Sequence, residues 1–189
     1  MLTVLKKTKA LNRALVVLKR GGVVICPTDT VYGFLADASN RKAVEKLYKI
    51  KKRPKSKPLP VFVANTKMAK ELAEIDARQE KTVKKYWPGK YTFVLKRKPA
   101  KLYGISKTTI ALRIPKDAFL QKLLKKIHRP LVQTSVNIST EAPLNNVPDI
   151  LTVFGSSKAI GLVIDGGNLK KAKSSQVMDF TGKKLARLR

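Results

Sequence analysis

Apolar and polar positions along this chain change period repeatedly, and each change predicts an element. Ala10, Leu11, Ala14, Leu15 and Leu18 share one side of a 3.6-residue repeat, which predicts a helix over 8–20, capped by Thr8 and stopped by Gly21-Gly22. Val23 to Ile25 is an unbroken apolar run and predicts a buried strand. A second helix, capped by Ser39, turns Ala43, Val44, Leu47 and Tyr48 inward. Pro54 and Pro58 then force a loop, and Leu59 to Val63 predicts the next strand. Asn65 and Asp76 are N-caps of two short helices, the second ending before Trp87-Pro88-Gly89. Tyr91 to Lys96 alternates as a half-buried strand, and Thr109 to Ile114 is another. Pro115 opens a helix with Phe119, Leu120, Leu123, Leu124 and Ile127 inward. Leu131 to Thr134 is a short strand running into Ser135-Val136-Asn137. A helix near 148–154, a strand from Gly161 to Asp165, and strands Gln176 to Phe180 and Lys184 to Leu188 around Thr181-Gly182 complete the chain. Helices alternating with strands predict a single α/β domain over 1–189, built on a mixed sheet.

Composition leaves that picture intact in one respect and changes it in another. The 189 residues are 43% apolar, enough for a real core. The charge is unusual: 41 Lys plus Arg stand against 12 Asp plus Glu, a formal net charge of +29. Such a surface attracts polyanions, chiefly nucleic acid and nucleotides. A single lysine does no more than solvate a helix face; only clusters build a strong local potential. One cysteine excludes an internal disulfide, and Cys26, at the end of an apolar strand, reads as a small core residue. A single histidine, His128, and a single cysteine exclude a structural zinc site. Met1 to Lys9 is too polar for a signal peptide, and no apolar run is long enough to span a membrane. The expectation is a soluble cytoplasmic protein.

Four groups of residues carry candidate chemistry. Thr28, Asp29, Thr30 and Tyr32 follow the strand Val23–Ile25. Ligands of open α/β sheets bind beyond the carboxyl ends of strands, where hydroxyls can bond a ligand and Gly33 lets backbone approach. The same residues would equally make a proline-initiated turn with local hydrogen bonds. Lys51, Arg53 and Lys57 lie in a segment, 41–57, with nine Lys or Arg and one acid, Glu45. Arginine grips phosphate or carboxylate bidentately and lysine supplies a point charge, although a basic run is also what a solvated loop looks like. Arg113, at the end of an apolar strand, needs an anionic partner, either a structural acid or a substrate carboxylate. Ser135 and Asn137, two apart, present side chains to one side if extended, for phosphate or ribose oxygens, or else form a turn and cap. The chain has no Gly-x-x-x-x-Gly-Lys-Ser/Thr and no Gly-x-Gly-x-x-Gly. No convincing general base is present, so any enzyme here works by positioning and electrostatics.

Six segments in order resemble the YrdC/TsaC family of threonylcarbamoyl-AMP synthases. They are Pro27-Thr28-Asp29-Thr30-Val31-Tyr32-Gly33, Lys51-x-Arg53-Pro54 through Lys57-Pro58-Leu59, Trp87-Pro88-Gly89, Arg113-Ile114-Pro115, Thr134-Ser135-Val136-Asn137 and Ile164-Asp165-Gly166-Gly167. The resemblance covers about residues 10–189. It implies a twisted mixed sheet flanked by helices, with a deep basic concave cavity. It implies that L-threonine, bicarbonate and ATP are joined into threonylcarbamoyl-AMP with release of pyrophosphate. A separate transferase complex would then pass the threonylcarbamoyl group to an adenosine of tRNAs that read ANN codons, giving N6-threonylcarbamoyladenosine.

Carried over by motif, Thr30, Phe62, Arg113, Gln133 and Ser175 would meet L-threonine, Arg113 on its carboxylate. Lys51, Arg53 and Lys57 would hold the ATP phosphates, and Thr109, Ser135, Asn137 and Arg187 would contact the nucleotide. Magnesium would bridge the phosphates. The chain departs from the family pattern at Phe34, where leucine is usual, at Gln176, where threonine is usual, and at Arg189, where glycine is usual. The ending at Arg189 points to the short, stand-alone form of the family. A rival reading is a non-catalytic protein that binds double-stranded RNA, tRNA or rRNA through the basic surface. Against it, aromatic content is only 6% and no RNP-type aromatic motif is present. A carbamoyl-transfer module of the HypF hydrogenase-maturation type is a third reading, for which the partner domains are missing.

Overall fold

A computed structural model describes residues 2–170, 175–182 and 184–188. In chain order the elements are β1 (Thr3–Lys6), α1 (Leu11–Lys19), β2 (Val23–Pro27), β3 (Tyr32–Asp37), α2 (Arg41–Lys51), β4 (Val61–Phe62), α3 (Thr66–Leu72) and α4 (Ala77–Tyr86). They continue with β5 (Tyr91–Lys96), β6 (Thr109–Arg113), α5 (Ala118–Ile127), β7 (Leu131–Ser135), α6 (Val147–Phe154), β8 (Ile160–Asp165), β9 (Gln176–Asp179) and β10 (Ala186–Arg187). The strands form one mixed sheet in the order β1-β8-β2-β3-β7-β4-β6-β5-β9-β10. β1, β8 and β2 run parallel, β3 and β7 are antiparallel to their neighbours, and β4–β6 and β5–β9 are parallel pairs.

The sheet is covered on both faces, and strand alternation assigns each side chain to one of two cores. On β2, Val24 and Cys26 join Leu35, Phe62, Leu162 and Ile164 beneath α1 and α5. Val23 and Ile25 point the other way, with Phe34, Val132 and Val163, beneath α2 and α6. The helices present the residues that their period predicts: Ala14 and Leu18 of α1, and Leu120, Leu123, Leu124 and Ile127 of α5, are buried. Each fully buried leucine contributes roughly 1.5–3 kcal/mol of transfer free energy.

Local chemistry departs from the sequence reading at a few ends. α1 starts at Leu11 without a side-chain cap, because Thr8 sits in the turn leaving β1. The cap of α2 is Asn40, whose Oδ1 accepts from the Ala43 amide, while Ser39 hydrogen-bonds Asp37 instead. Asn65 and Asp76 cap α3 and α4 as expected, the latter through a reciprocal capping box with Gln79. Two strands have no counterpart in the sequence reading. β1 is a four-residue edge strand paired only with β8, too short for its period to show. β3 is buried at every residue, so it shows no polar alternation, and the Thr-Asp-Thr motif before it is the link of a β2–β3 hairpin rather than a strand terminus.

Two glycines are required by close approach. A Cβ on Gly166 would lie 2.6 Å from Pro27 Cγ, and the turn it belongs to is held by Tyr32, whose hydroxyl accepts from the Gly166 amide and donates to the Gly167 carbonyl. Gly104 has φ +71°, and a Cβ there would lie 2.7 Å from Val44 Cγ1. Gly104→Ala is therefore expected to destabilise the fold by roughly 1–3 kcal/mol, read as a lower urea midpoint with an unchanged m-value.

Candidate active site

α1 and α5 cover only part of their face of the sheet. Further along, the same face carries polar side chains at alternate positions: Gln133 and Ser135 on β7, Thr109 and Arg113 on β6, Thr92 on β5, and Ser175 just before β9. Their strand neighbours Leu112, Phe93 and Leu95 point into the opposite core. The result is a cavity of about 380 Å³, closed on other sides by Thr30, Arg53, Pro58, Ser106 and Ser139. The expectation of a ligand site beyond strand ends is thus corrected. The hydroxyl motif lies at such an end, but the cavity extends over the sheet face.

One end of the cavity is built around Arg113, which is 2% exposed. Its Nη2 donates to Asp29 Oδ1 at 2.5 Å and its Nε to the Gly89 carbonyl at 2.9 Å. Phe62 lies beneath the guanidinium, 5.5 Å from ring centroid to carbon. Asp29 is itself held by the Lys116 amide at 3.1 Å. Burial pulls the Arg113 pKa down and Asp29 pulls it back up, so the group stays a cation. Asp29 is therefore the structural acid that the sequence left open, and Arg113 Nη1, which has no protein partner, remains for a ligand carboxylate. Beside it, Thr28 is spent on the hairpin link: its Oγ1 donates to the Val31 carbonyl at 2.7 Å and accepts from the Thr30 and Val31 amides. That turn presents the Thr30 hydroxyl, 3.0 Å from Thr28 Oγ1, to the cavity.

The other end is cationic. Lys51, the last residue of α2, is 3% exposed and donates to the Ser135 carbonyl (2.7 Å), Asn137 Oδ1 (2.5 Å) and the Asn137 carbonyl (3.2 Å). Ser135 Oγ donates to Asn137 Oδ1 at 2.7 Å, and Asn137 Nδ2 to the Ile138 and Glu141 carbonyls. The separate lysine and Ser-x-Asn motifs are thus one hydrogen-bonded cluster. Burial first, and then the neighbouring Arg53, lower the Lys51 pKa to about 8. Arg53 is braced by its own loop, with Nε on the Lys57 carbonyl and Nη2 on the Pro58 carbonyl, each at 3.0 Å.

Not every candidate residue lines the cavity. Thr30, Lys51, Arg53, Thr109, Arg113, Gln133, Ser135, Asn137 and Ser175 do; Phe62 supports Arg113 from below. Lys57 contributes its carbonyl to Arg53 while its side chain is exposed, and Arg187 is exposed on β10, outside the lining. Ser174 and Arg189 lie outside the described residues. Thr92, whose hydroxyl meets Ser175 Oγ at 3.0 Å, was not singled out from the sequence, although its alternation with Phe93 marks it as facing away from the core. Cys26 is fully buried and burial pushes its thiol pKa up, which fits a core residue. His128 is an exposed residue at the end of α5. Among the described residues no group of His, Cys, Asp and Glu could hold a metal ion, and no helix is long and apolar enough to cross a membrane.

The site can therefore bind a carboxylate at one end and phosphate at the other, with hydroxyls between and no carboxylate in its lining. Comparison with known proteins agrees with this pattern. The model of the Sua5, YciO and YrdC family, described as telomere recombination, matches residues 16–189. The threonylcarbamoyl-AMP synthase of Vibrio vulnificus is 31% identical over 183 residues, covering 94% of this chain and 97% of that protein. The human threonylcarbamoyl-AMP synthase is 32% identical over 171 residues, covering 89% of this chain and 60% of its own. Among solved structures, Pyrococcus abyssi Sua5 in complex with L-threonine superposes with a TM-score of 0.87 at 29% identity, over all of this chain and 57% of that one. E. coli YciO shares the fold, with a TM-score of 0.85 at 23% identity over all of this chain and 94% of that one. The chain spans a little over half the length of the Pyrococcus protein and nearly the whole of the Vibrio one. By its family match, its relatives and its fold, this chain belongs to the Sua5/YciO/YrdC family.

Proposed function

We propose that this chain is a threonylcarbamoyl-AMP synthase, joining L-threonine, bicarbonate and ATP into threonylcarbamoyl-AMP and pyrophosphate. One observation carries the reading: a buried arginine with a free donor edge and a lysine–serine–asparagine cluster line a single cavity. An amino acid and a nucleotide are the ligand pair that such a cavity fits. The threonine carboxylate lies on Arg113 Nη1, with Thr30 and Ser175 supplying hydroxyls beside it. Gln133 offers backbone there. The ATP phosphates lie toward Lys51, Arg53, Ser135 and Asn137, with Lys57 at the loop edge and Thr109 and Arg187 toward the nucleoside.

The chemistry balances without a protein nucleophile. The neutral threonine amine adds to the carbon of bicarbonate, water leaves, and an N-carboxylate forms. An oxygen of that carbamate attacks the α-phosphorus as the bond from α-phosphorus to the bridging oxygen breaks, and pyrophosphate departs with the electron pair. Charge on the transferring and departing phosphates is met by Lys51 and Arg53. The attacking carbamate is already an anion, so the step needs no general base in the lining. Magnesium enters on the ATP oxygens as part of that substrate, which suits an ion that keeps most of its water and takes few protein ligands. The adenylate then serves a downstream transferase that modifies tRNA.

The deciding experiment mixes protein, MgATP, L-threonine and bicarbonate and follows both pyrophosphate and the adenylate. Both are expected to require all three substrates; pyrophosphate release indifferent to threonine overturns the reading. Two site predictions accompany it. Arg53→Ala is expected to lower kcat/KM for ATP by roughly 10–100-fold, the worth of one or two charge-assisted hydrogen bonds, with an unchanged circular dichroism melt. Full turnover in that variant counts against the phosphate assignment. Because the Lys51 pKa is lowered to about 8, its proton is held below that pH and lost above it. kcat/KM for ATP should therefore fall as pH rises through about 8, and Lys51→Arg should remove that limb while retaining measurable activity.

A further inference from the structure

The cavity accounts for only a few of the chain's cations. The densest remainder lies in two segments, 41–57 and 96–108, which together hold fourteen Lys or Arg and one acid, Glu45, itself paired with Arg41. The fold brings these segments together. The Tyr48 hydroxyl of α2 donates to the Lys57 carbonyl at 3.0 Å and lies 3.3 Å from the Gly104 carbonyl, and the Leu59 amide donates to the Gly104 carbonyl. Between them runs a second groove of about 600 Å³ that carries Arg41, Lys55 and Lys107. Its wall includes Tyr103, half-buried and with no partner for its hydroxyl. Pro58, Ile105 and Ser106 line both this groove and the cavity, so the two are continuous.

The geometry points to this groove as a docking site for single-stranded RNA at the mouth of the cavity. The three cations match successive phosphates, and the Tyr103 ring gives a base a face to stack on. A duplex is too wide for a groove of this size, whereas a flexible strand can follow it. Glu45 imposes little repulsion, since Arg41 neutralises it. This inference concerns binding beside the cavity and stands whether or not the cavity performs the proposed synthesis.

Fluorescence anisotropy with a labelled, unstructured RNA of about twelve nucleotides, measured across a salt series, tests it. The Lys55→Glu, Lys107→Glu double variant is expected to bind at least ~10-fold more weakly in 0.1 M salt, with a salt slope shallower by about 1.4, or 0.7 for each lost phosphate contact. Tyr103→Leu should weaken binding several-fold with no change in slope, because stacking is not ionic. Lys122→Glu, Lys125→Glu, Lys126→Glu on α5 removes more charge, yet should weaken binding by less than about 3-fold, a residue of the general field. Pyrophosphate release should be unaffected in all three variants. If the α5 variant loses as much affinity as the double variant, the binding is diffuse and the groove assignment fails. It also fails if a duplex of equal length binds as tightly as the single strand, or if Tyr103→Leu has no effect.

Discussion

Arg113→Gln should lower kcat/KM for L-threonine by about 100-fold or more. The guanidinium supplies the free Nη1 edge to the carboxylate from a site almost closed to water, where each charge-assisted hydrogen bond is worth roughly 1.5–3 kcal/mol. Arg113→Lys should not rescue it, because an ammonium cannot satisfy Asp29, the Gly89 carbonyl and a carboxylate at once with planar geometry. The same substitution also tests the structure. Removing the cation leaves Asp29 ionised and poorly hydrated, at a cost of about 3–5 kcal/mol, so the variant should melt well below the parent. Pairing it with Asp29→Asn should recover much of the stability and none of the threonine affinity. Asp29→Asn alone should raise KM for threonine more than it lowers kcat, since it acts only by positioning Arg113. Unchanged threonine kinetics in a folded Arg113→Gln, Asp29→Asn protein would remove the carboxylate assignment.

Lys51→Met should have a comparable effect on the other substrate. The aliphatic stem is retained while the charge is lost, and kcat/KM for ATP should fall by about 100-fold, as expected when a buried cation facing phosphate is deleted. Threonine affinity, measured by calorimetry without ATP, should stay within about 3-fold of the parent, because Arg113 and Lys51 belong to separate hydrogen-bond networks. A parallel loss of threonine binding would mean that Lys51 serves mainly to hold the end of β7 and that the cavity collapses without it. This outcome is possible to distinguish because Lys51 donates to the Ser135 and Asn137 carbonyls as well as to side chains. Lys51→Arg, which can still reach those carbonyls, then separates support of β7 from phosphate recognition.

The two ends of the cavity were unequally legible. Arg113 could be picked out because a guanidinium ending an apolar strand demands an anion, but the choice between a structural and a substrate anion depended on where the β2–β3 link came to rest. There Asp29 takes Nη2 and leaves Nη1. For the phosphate end, Lys51 and the Ser135–Asn137 pair looked like two weak signals 84 residues apart, and their union is made by the last turn of α2 meeting the end of β7. Tyr32 shows the opposite case. It lies in the most suggestive motif, yet its hydroxyl is committed to the Gly166-Gly167 turn.

The sequence by itself determined the helices, most of the strands, the α/β class and the residue types of the site. Those follow from local periodicity, turn chemistry and short motifs, which neighbouring residues decide. It did not determine β3, because a strand buried on both faces carries no polar alternation. Nor could it place the site on the sheet face. Which of two alternating sets of side chains faces a core, and which faces an opening, depends on where α1 and α5 stop covering the sheet. That boundary is set by packing between elements distant in the chain. Only the tertiary structure could therefore turn Thr92, Thr109, Arg113 and Gln133 into one cavity wall.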